Sequence, residues 1–415
     1  MIKIKLLSEF VAVILIFSAL TVAALCSESD DVDPEDGDGA EWHQFHLDPQ
    51  HLGASSSTAP RTNETAWTRE ISAQAGSSVS VAEGRVFVNC VDKIVALDQY
   101  TGETLWTVPF KRNEDVCCSW FTPVYHDGRL YFSGMETVCL NATTGEEIWS
   151  FAHPSGRGAV DASPVVADGK VVASDWDGHH YYCLDEASGR EIWNFSVEGS
   201  AQSTPAVADG KAVFGAWEWG LGGYICCADL EDGTEIWSIQ TENSPCGSAA
   251  IIDGTVYMTT YNFNGNGDLL ALSLSNGSIL WRKEISPTDS TPAISGGKVY
   301  VCGGVEGFSH SKTYCFDAAT GDLIWETDEA EKIGDWRCSL ALADGLVFAG
   351  RPDFDDFGGT VALDAVTGEL VWSHPGGGSS PAVAGGMVFT LGKGKVYAFG
   401  GEAETDGSGT EEMIL

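Results

Sequence analysis

Cysteine is the residue type with the greatest chemical potential in this chain, which contains twelve of them. Two pairs are adjacent in sequence, Cys117-Cys118 and Cys226-Cys227. Four cysteines occupy one recurring position near the end of an apolar run, where other copies of the same stretch carry alanine: Cys139, Cys183, Cys227 and Cys315. Because alanine substitutes for them, we predict that these four are small buried hydrophobic residues rather than reactive thiols.

Charged residues offer a second set of candidates. Lys and Arg number 22 against 60 Asp and Glu, a formal net charge of −38, which disfavours a nucleic-acid partner. Against this background Arg157 and Arg337 could meet an anionic ligand, or each could form a local salt bridge with Asp161 or Asp335. Two oxygen-rich stretches could bind Ca²⁺ or simply form solvated turns: Asn262, Asn264, Asn266 and Asp268, and Asp353 with Asp355. No Ser-His-Asp arrangement emerges from spacing, so we predict no catalytic residue.

These residues lie within a repeat that sets their positions. A segment ending in Thr-Gly-x-x-x-Trp, or a close variant, recurs with its Trp residues 43, 44, 44, 44, 44 and 47 residues apart. The Trp residues of this segment are Trp106, Trp149, Trp193, Trp237, Trp281, Trp325 and Trp372. We predict that each packs between neighbouring repeats and that the turn glycines permit positive φ.

A second motif, Ser/Thr-Pro followed by Asp-Gly between apolar residues, alternates with the first and predicts a two-stranded hairpin. Eight copies are present when a degenerate one at 78–84 is counted, so each repeat of about 44 residues has four antiparallel strands, A to D. The last repeat lacks its Trp strand, and Trp67 supplies the missing Trp. We therefore predict an all-β, eight-bladed β-propeller closed by an N-terminal strand around Trp67 that completes the last blade.

In such a ring the D–A and B–C loops share one face, and the tight turns share the other. The residues of these loops are our candidates for a ligand-binding face at the channel mouth: Cys117, Cys118, Trp120, Arg157, Asp161, Trp176, Gln202, Asp335, Trp336 and Arg337. Asp289, Cys246 and Cys338 also precede a strand A. Exposed aromatic residues at a channel mouth favour peptide or sugar recognition, with packing of long loops as the alternative.

The Leu-Asp-x-x-Thr-Gly-x-x-x-Trp segments and Asp-Gly hairpins over residues 42–400 resemble the repeat of pyrroloquinoline-quinone (PQQ)-type propellers. That family includes quinoprotein alcohol dehydrogenases and non-catalytic members similar to the barrel-assembly scaffold lipoprotein of Gram-negative outer membranes. The resemblance implies the propeller fold. For a dehydrogenase it would also imply PQQ, Ca²⁺ and a vicinal disulfide between Cys117 and Cys118 near the quinone. The alternatives for these cysteines are a plain structural disulfide or pairing among the cysteines of the channel mouth.

The N-terminal residues resemble an export signal. Lys3 and Lys5 precede an apolar run of about 16 residues, which predicts a signal peptide or N-terminal anchor over 1–26, with lipidation at Cys26 as a further alternative. An acidic disordered linker is predicted over 27–41, the propeller over 42–401 and an acidic tail over 402–415.

Together these features predict an exported, secreted or cell-surface scaffold, monomeric, that binds a protein or glycan partner through its loop face. Its contact with a membrane would be through the N-terminal segment alone. No cofactor is required by this interpretation. The alternative is a PQQ- and Ca²⁺-dependent dehydrogenase that uses the vicinal disulfide.

Overall fold

The computed structural model describes residues 40–74, 76–112, 120–218, 222–262, 265, 267–305, 310–353 and 356–400. These residues form eight small antiparallel sheets, each a blade of a β-propeller, which confirms the predicted fold. The predicted segments 1–26 and 402–415, and residues 27–39 of the predicted linker, lie outside the described residues.

Each blade has four strands, named A to D from the channel outwards. Strands β1 (Ala54–Ser55) and β2 (Thr65–Glu70) precede the repeats. Blade 1 is β3 (Val79–Ala82), β4 (Arg85–Asn89), β5 (Lys93–Asp98) and β6 (Thr104–Pro109). Blade 2 is β7 (Val124–His126), β8 (Arg129–Ser133), β9 (Glu136–Asn141) and β10 (Glu147–Ala152). Blade 3 is β11 (Val165–Ala167), β12 (Lys170–Asp175), β13 (His180–Asp185) and β14 (Glu191–Ser196). Blade 4 is β16 (Ala206–Ala208), β17 (Lys211–Glu218), β18 (Gly222–Asp229) and β19 (Glu235–Thr241), with β15 (Ser200–Ala201) added to β17.

The remaining blades follow the same order. Blade 5 is β20 (Ala250–Ile252), β21 (Thr255–Tyr261), β22 (Gly267–Ser273) and β23 (Ile279–Ile285). Blade 6 is β24 (Ala293–Ser295), β25 (Lys298–Gly303), β26 (Lys312–Asp317) and β27 (Leu323–Glu326), followed by a 3-10 helix at Glu329–Glu331. Blade 7 is β28 (Ala341–Ala343), β29 (Leu346–Pro352), β30 (Phe357–Asp364) and β31 (Leu370–His374). Blade 8 is β32 (Ala382–Ala384), β33 (Met387–Gly392) and β34 (Lys395–Gly400), completed by β2.

The ring closes through β2, as the sequence predicts. This strand pairs antiparallel with β34, and Trp67 lies opposite Ala398. The outer strand of blade 8 therefore comes from the N-terminal side of the chain, and the end of the repeat array is covered. None of the described helical segments is both long enough and apolar enough to cross a bilayer.

The repeat Trp residues connect each blade to the next. Every one of their indole N–H groups donates to a backbone carbonyl of the following blade or its closing segment: Trp67 to Gln99, Trp106 to Ala142, Trp149 to Glu186, Trp193 to Leu230, Trp237 to Leu274, Trp281 to Ala318, Trp325 to Ala365 and Trp372 to Pro60. The last bond ends on Pro60 because blade 8 has no Thr-Gly turn of its own. Each indole therefore lies at a junction between two blades, the place for which the repeat predicts it.

The recurring cysteines lie beneath these indoles. Cys139, Cys183, Cys227 and Cys315 are fully buried and stand opposite Trp149, Trp193, Trp237 and Trp325 in the strand registers. Burial raises the pKa of the Cys183 thiol to about 12, so it is a protonated, unreactive group at neutral pH. The prediction of small buried hydrophobic residues is confirmed.

A second closure was not foreseen. Residues 40–57, which we call the collar, make one circuit of the inner strands and bond to all eight blades in turn. Carbonyl groups of the collar accept from blade amides at Gly385 (from Ala40), Val81 (Trp42), Tyr125 (His43), Val207 (Pro49), Ile251 (Gln50), Ile294 (Leu52) and Leu342 (Gly53). For blade 3 the side chain of Gln44 replaces the backbone, donating to the Val166 carbonyl and accepting from its amide, each at 2.9 Å. Ser57 Oγ returns to blade 8, accepting from Gly386 at 2.9 Å.

In blades 1 to 7 these bonds lie within the A strands, two residues before the A–B turn, and in blade 8 they reach the turn itself. The collar therefore pairs with the inner edge of the ring on the side of the A–B turns. Its tight path needs positive φ at His46, Leu47 and His51. His46 and His51 are buried, and burial lowers the pKa of His46 to about 4 and that of His51 to about 3, so both rings are neutral near pH 7.

Candidate functional site

Two rings of side chains line the channel at the loop face. The first, the hydroxyl ring, contains the Ser or Thr that begins the hairpin motif of each blade, Ser/Thr-x-x-x-x-Asp-Gly or a variant of it. Each hydroxyl in six of the blades accepts the backbone N–H of its counterpart in the preceding blade: Thr122 from Ser78, Ser163 from Thr122, Thr204 from Ser163, Ser248 from Thr204, Ser339 from Thr291 and Ser380 from Ser339. This explains in physical terms why only small hydroxyl residues recur at that position.

The hydroxyl ring is interrupted between blades 5 and 6. There Thr291 Oγ1 is buried and makes no hydrogen bond to the described residues. Between blades 8 and 1 the geometry also changes, since Ser78 Oγ donates to the Ser380 carbonyl at 2.9 Å.

The second ring lies two residues earlier in each repeat, and we call it the variable ring. From blade 1 to blade 8 its members are Gly76, Trp120, Asp161, Gln202, Cys246, Asp289, Arg337 and Gly378. All except Gly378 line a cavity of about 520 Å³, including space open to solvent. Phe45 of the collar also lines it. This cavity, here called the axial pocket, is therefore lined by both the variable ring and the collar.

Trp120 covers one side of the axial pocket. A Cβ on Gly76 would lie 2.3 Å from Trp120 Cδ2, so glycine is needed in blade 1 to accommodate the indole. Gln202 is held by a hydrogen bond from the Trp217 indole N–H to its side-chain oxygen. Gln202 is thus positioned by an aromatic side chain of β17.

Two carboxylates of the variable ring, Asp161 and Asp289, form no salt bridge with a described residue, although the charge of Arg337 acts on Asp289. Burial raises the pKa of Asp161 to about 7, an effect partly offset by the backbone amide of Trp120. Burial, followed by the charges of Asp161 and Asp335, raises the pKa of Asp289 well above its usual range. Asp161 Oδ1 is buried and accepts no hydrogen bond from the described residues. The pocket therefore offers a carboxylate oxygen that the described residues leave without a hydrogen-bond donor.

Arg337 is already committed to protein groups. Its guanidinium binds Asp335 through two bonds, Nε to Oδ1 at 3.0 Å and a terminal nitrogen to Oδ2 at 3.1 Å. It also donates to the Asp356 carbonyl at 2.6 Å and lies 4.7 Å from the centre of the Phe357 ring. The local salt bridge that the sequence offered as an alternative to anion binding is the observed arrangement.

The cysteine of the variable ring is not a nucleophile. Burial and the nearby carboxylates Asp289 and Asp161 raise the pKa of Cys246 well above its usual range, so the thiolate is strongly disfavoured. The described part of the channel therefore contains no cysteine activated for thiol catalysis.

Other candidates lie elsewhere. Arg157 pairs with Asp177 at 2.7 Å rather than with Asp161, because the B–C loop of blade 3 brings Asp177 beside it. Trp176 stands on that same B–C loop and does not line the axial pocket. Trp336 contacts Tyr261, with ring centres 6.2 Å apart, and its carbonyl accepts from the Asp289 amide. Cys117 and Cys118 fall outside the described residues.

The oxygen-rich stretches do not assemble a calcium site among the described residues. Asp268 lies in β22, where its two oxygens each accept a bond of 2.9 Å from Arg282. Asn262 donates to Asn243, and Asp353 lies 3.8 Å from Lys393. Asn264, Asn266 and Asp355 lie outside the residues that the structure describes. No group of three or more His, Cys, Asp or Glu side chains in the described part of the chain is arranged to hold a metal ion.

The comparisons with known proteins decide the family. A model of PQQ-type repeats described as outer membrane protein assembly factor BamB matches residues 56–135, 134–313 and 309–405. The chain belongs to the PQQ-type repeat propellers. Its match to curated members of the family is partial: a quinoprotein ethanol dehydrogenase of Pseudomonas aeruginosa is 28% identical over 138 residues, covering 28% of this chain and 22% of that protein.

An alcohol dehydrogenase (quinone) subunit of Gluconobacter oxydans is 37% identical over 89 residues, 20% of this chain and 11% of that protein. The chain therefore matches only about a fifth or less of the length of these curated relatives. Among solved structures, a quinohemoprotein alcohol dehydrogenase from Pseudomonas putida gives a TM-score of 0.68 at 14% identity, covering 90% of this chain and 82% of that one. BamB from Moraxella catarrhalis gives 0.63 at 14% identity, covering 82% and 98%. At these identities the likeness shows the fold alone. The quinohemoprotein dehydrogenase and BamB both share it with this chain, so the likeness does not choose between them.

Proposed function

We propose that this PQQ-type propeller is an exported, non-catalytic binding scaffold that holds a basic group of a protein or glycan partner in its axial pocket. The observation that carries the proposal is the axial pocket, in which neither Asp161 nor Asp289 forms a salt bridge with a described residue and Asp161 Oδ1 accepts no hydrogen bond from one. An ammonium or guanidinium group would supply both the charge and the donor. The apolar N-terminal run and the family model's printed description support export.

Amino groups occur on lysine side chains and on amino sugars, and the same pocket chemistry serves both. The probes are therefore a trilysine amide and a glucosamine trimer, with trialanine amide and an N-acetylglucosamine trimer as uncharged counterparts. Titrations of the full-length chain in 1 M KCl, followed by calorimetry, suppress attraction to the acidic surface, because the Debye length is then about 3 Å.

We expect one charged probe to bind with a stoichiometry of one and to bind at least about tenfold more weakly to Asp161→Asn. The matched control is Asp92→Asn, which removes an exposed carboxylate from a B–C loop of the same face. Equal weakening by both substitutions, or equal binding of the uncharged probes, would contradict the proposal.

The same binding should depend on pH. Because the pKa of Asp161 is raised to about 7, the carboxylate must lose a proton before it can pair with a cation, whereas a lysine side chain stays charged throughout this range. Affinity should fall by up to about tenfold per pH unit below pH 7 and level off above it. Calorimetry at pH 5.5, 6.5 and 7.5 in buffers of different ionisation enthalpy would show the proton release. A pH-independent affinity would exclude Asp161 from the site.

The curated relatives favour a second candidate, a quinone-dependent dehydrogenase. The described residues do not fit that cofactor. PQQ carries three carboxylates, whereas the pocket presents Asp161 and Asp289 and a guanidinium already bound to Asp335. We therefore expect PQQ with CaCl₂ to leave the melting temperature of the full-length chain unchanged. A saturable rise would reverse the order of the two candidates.

A further inference from the structure

Two buried cysteines meet at the junction of blades 6 and 7. Cys302 lies near the end of β25, and Cys338 follows the variable-ring residue Arg337, just before β28. Both have no exposed surface and belong to one hydrophobic cluster. They come from different blades and stand 36 positions apart in the chain, so only the assembled fold brings them together.

The contact between them is direct. The Cys302 Sγ lies 2.8 Å from the Cys338 carbonyl oxygen and 3.6 Å from that of Asp335. A hydrogen bond between the two side chains is the first cause of the strongly raised pKa of the Cys338 thiol, with burial second. Their surroundings are closely packed: a Cβ built on Gly334 would lie 3.1 Å from Cys302 Cβ. Both cysteines are free thiols in the structure, and the Cys302 sulfur is held against the backbone of Cys338 in a closely packed space.

We propose that Cys302 and Cys338 form a disulfide that joins blade 6 covalently to blade 7. The proposal uses the export part of the proposed function, because disulfides persist in oxidising compartments. It does not depend on the ligand of the axial pocket.

The bond forms while the chain folds, since both thiols are inaccessible and protonated in the folded state. One cysteine thiolate attacks the disulfide of a disulfide-bearing thiol oxidant and releases one of the oxidant's sulfurs. The second cysteine thiolate then attacks the mixed disulfide, forms the Cys302–Cys338 bond and releases the oxidant as a dithiol. Two cysteine thiols are oxidised, one oxidant disulfide is reduced, and the two protons pass to the oxidant's sulfurs.

A disulfide at this position would stabilise a segment next to the axial pocket. The D–A segment that ends in Cys338 carries Arg337, which lines the axial pocket, and Asp335, which binds the Arg337 guanidinium. A covalent link from Cys338 to a strand of blade 6 would fix this segment against the ring. The position of Arg337 in the pocket would then be fixed by the disulfide as well as by the Asp335–Arg337 ion pair.

The decisive measurement is a map of thiols in the full-length chain. Protein purified from an exporting host is denatured in guanidinium with N-ethylmaleimide present, digested without reductant and analysed by mass spectrometry. We expect a linked peptide pair containing Cys302 and Cys338, while Cys139 and Cys183 carry the alkyl group. The same map is made on protein reduced, unfolded and refolded with oxidised glutathione.

The two thiol maps have three possible outcomes. A linked pair in the exported protein supports the proposal. A pair that forms only on refolding with glutathione supports the site but contradicts export as the source of oxidation. Alkylation of both cysteines in both samples overturns the proposal, whatever the axial-pocket titrations show.

Thermal unfolding gives an independent test through Cys302→Ala, Cys338→Ala and the double variant. If the bond exists, all three should melt about 5 °C lower by about the same amount, because any one change removes it. The control is Cys183→Ala, which removes a buried sulfur from blade 3. When this variant is reduced before folding, its melting temperature should fall by as much as that of the wild-type chain. Losses that add in the double variant would show two independent thiols and overturn the proposal.

Discussion

Replacing Gly189 with alanine should lower the free energy of unfolding by about 2–5 kcal/mol, although only one methyl group is added. Gly189 stands in the turn between strands C and D of blade 3 with φ of 69°. A Cβ there would lie 2.5 Å from Trp149 Cε3, on the ring that connects blade 2 to blade 3. The substitution therefore combines a left-handed backbone with displacement of an inter-blade indole.

The matched control is Gly169→Ala in the Asp-Gly turn of the same blade. Gly169 has φ of 72°, but nothing lies within 4 Å of its added Cβ. It should cost only the backbone part, about 1–2 kcal/mol. Guanidinium unfolding of both variants separates the two contributions, since they share the conformational term. Equal losses would mean that the stacked indole adds nothing to the blade interface.

This pair of glycines shows why the blades could be predicted from the sequence. Each repeat position does the same physical job in most of the eight blades, so a requirement such as positive φ beside an indole appears as a glycine recurring about every 44 positions. Closure by Trp67 followed from counting, because one repeat lacked its Trp strand. The hydroxyl ring had the same periodic signal in the Ser/Thr that begins each hairpin motif, but its bonding to the preceding blade was not apparent before the structure.

The candidate site could be anticipated in part. Trp120, Asp161, Gln202 and Arg337 were singled out because they precede an A strand, and the structure places all four at one pocket. The pairing of Arg157 was not foreseen because the nearest carboxylate in sequence, Asp161, faces the channel, whereas Asp177 on the B–C loop is nearest in space. For Asp268, periodicity could not show that the diagonal neighbour Arg282 on the adjacent strand occupies both oxygens.

The collar had almost no signal of its own. Its residues contribute mainly backbone carbonyls, which every residue type possesses, and they follow no helical or strand period. Trp42 and Gln44 are its distinctive side chains, and both are buried. A segment that binds through its backbone and lies beyond the repeat array leaves little trace in composition or spacing.

A chain that begins at Thr58 should fail to unfold cooperatively, whereas a chain that begins at Ala40 should keep the melting temperature of the full-length protein. The collar makes about ten hydrogen bonds to the inner strands, each contributing about 1 kcal/mol, and buries Trp42 completely. Their sum is comparable to the total stability of a typical domain, about 5–15 kcal/mol. Near-ultraviolet circular dichroism and scanning calorimetry would measure the loss.

Gln44→Leu tests the same segment without shortening the chain. It keeps the approximate size of the side chain but leaves both the amide and the carbonyl of Val166 without their partner. Each orphaned group costs about 1–3 kcal/mol, so the variant should be less stable by about 2–6 kcal/mol. If it and the chain beginning at Thr58 both unfolded like the full-length protein, the inner strand edges would be satisfied by water and the ring would hold by its indoles alone. The collar is thus expected to complete the inner edge of the ring as β2 completes its outer edge.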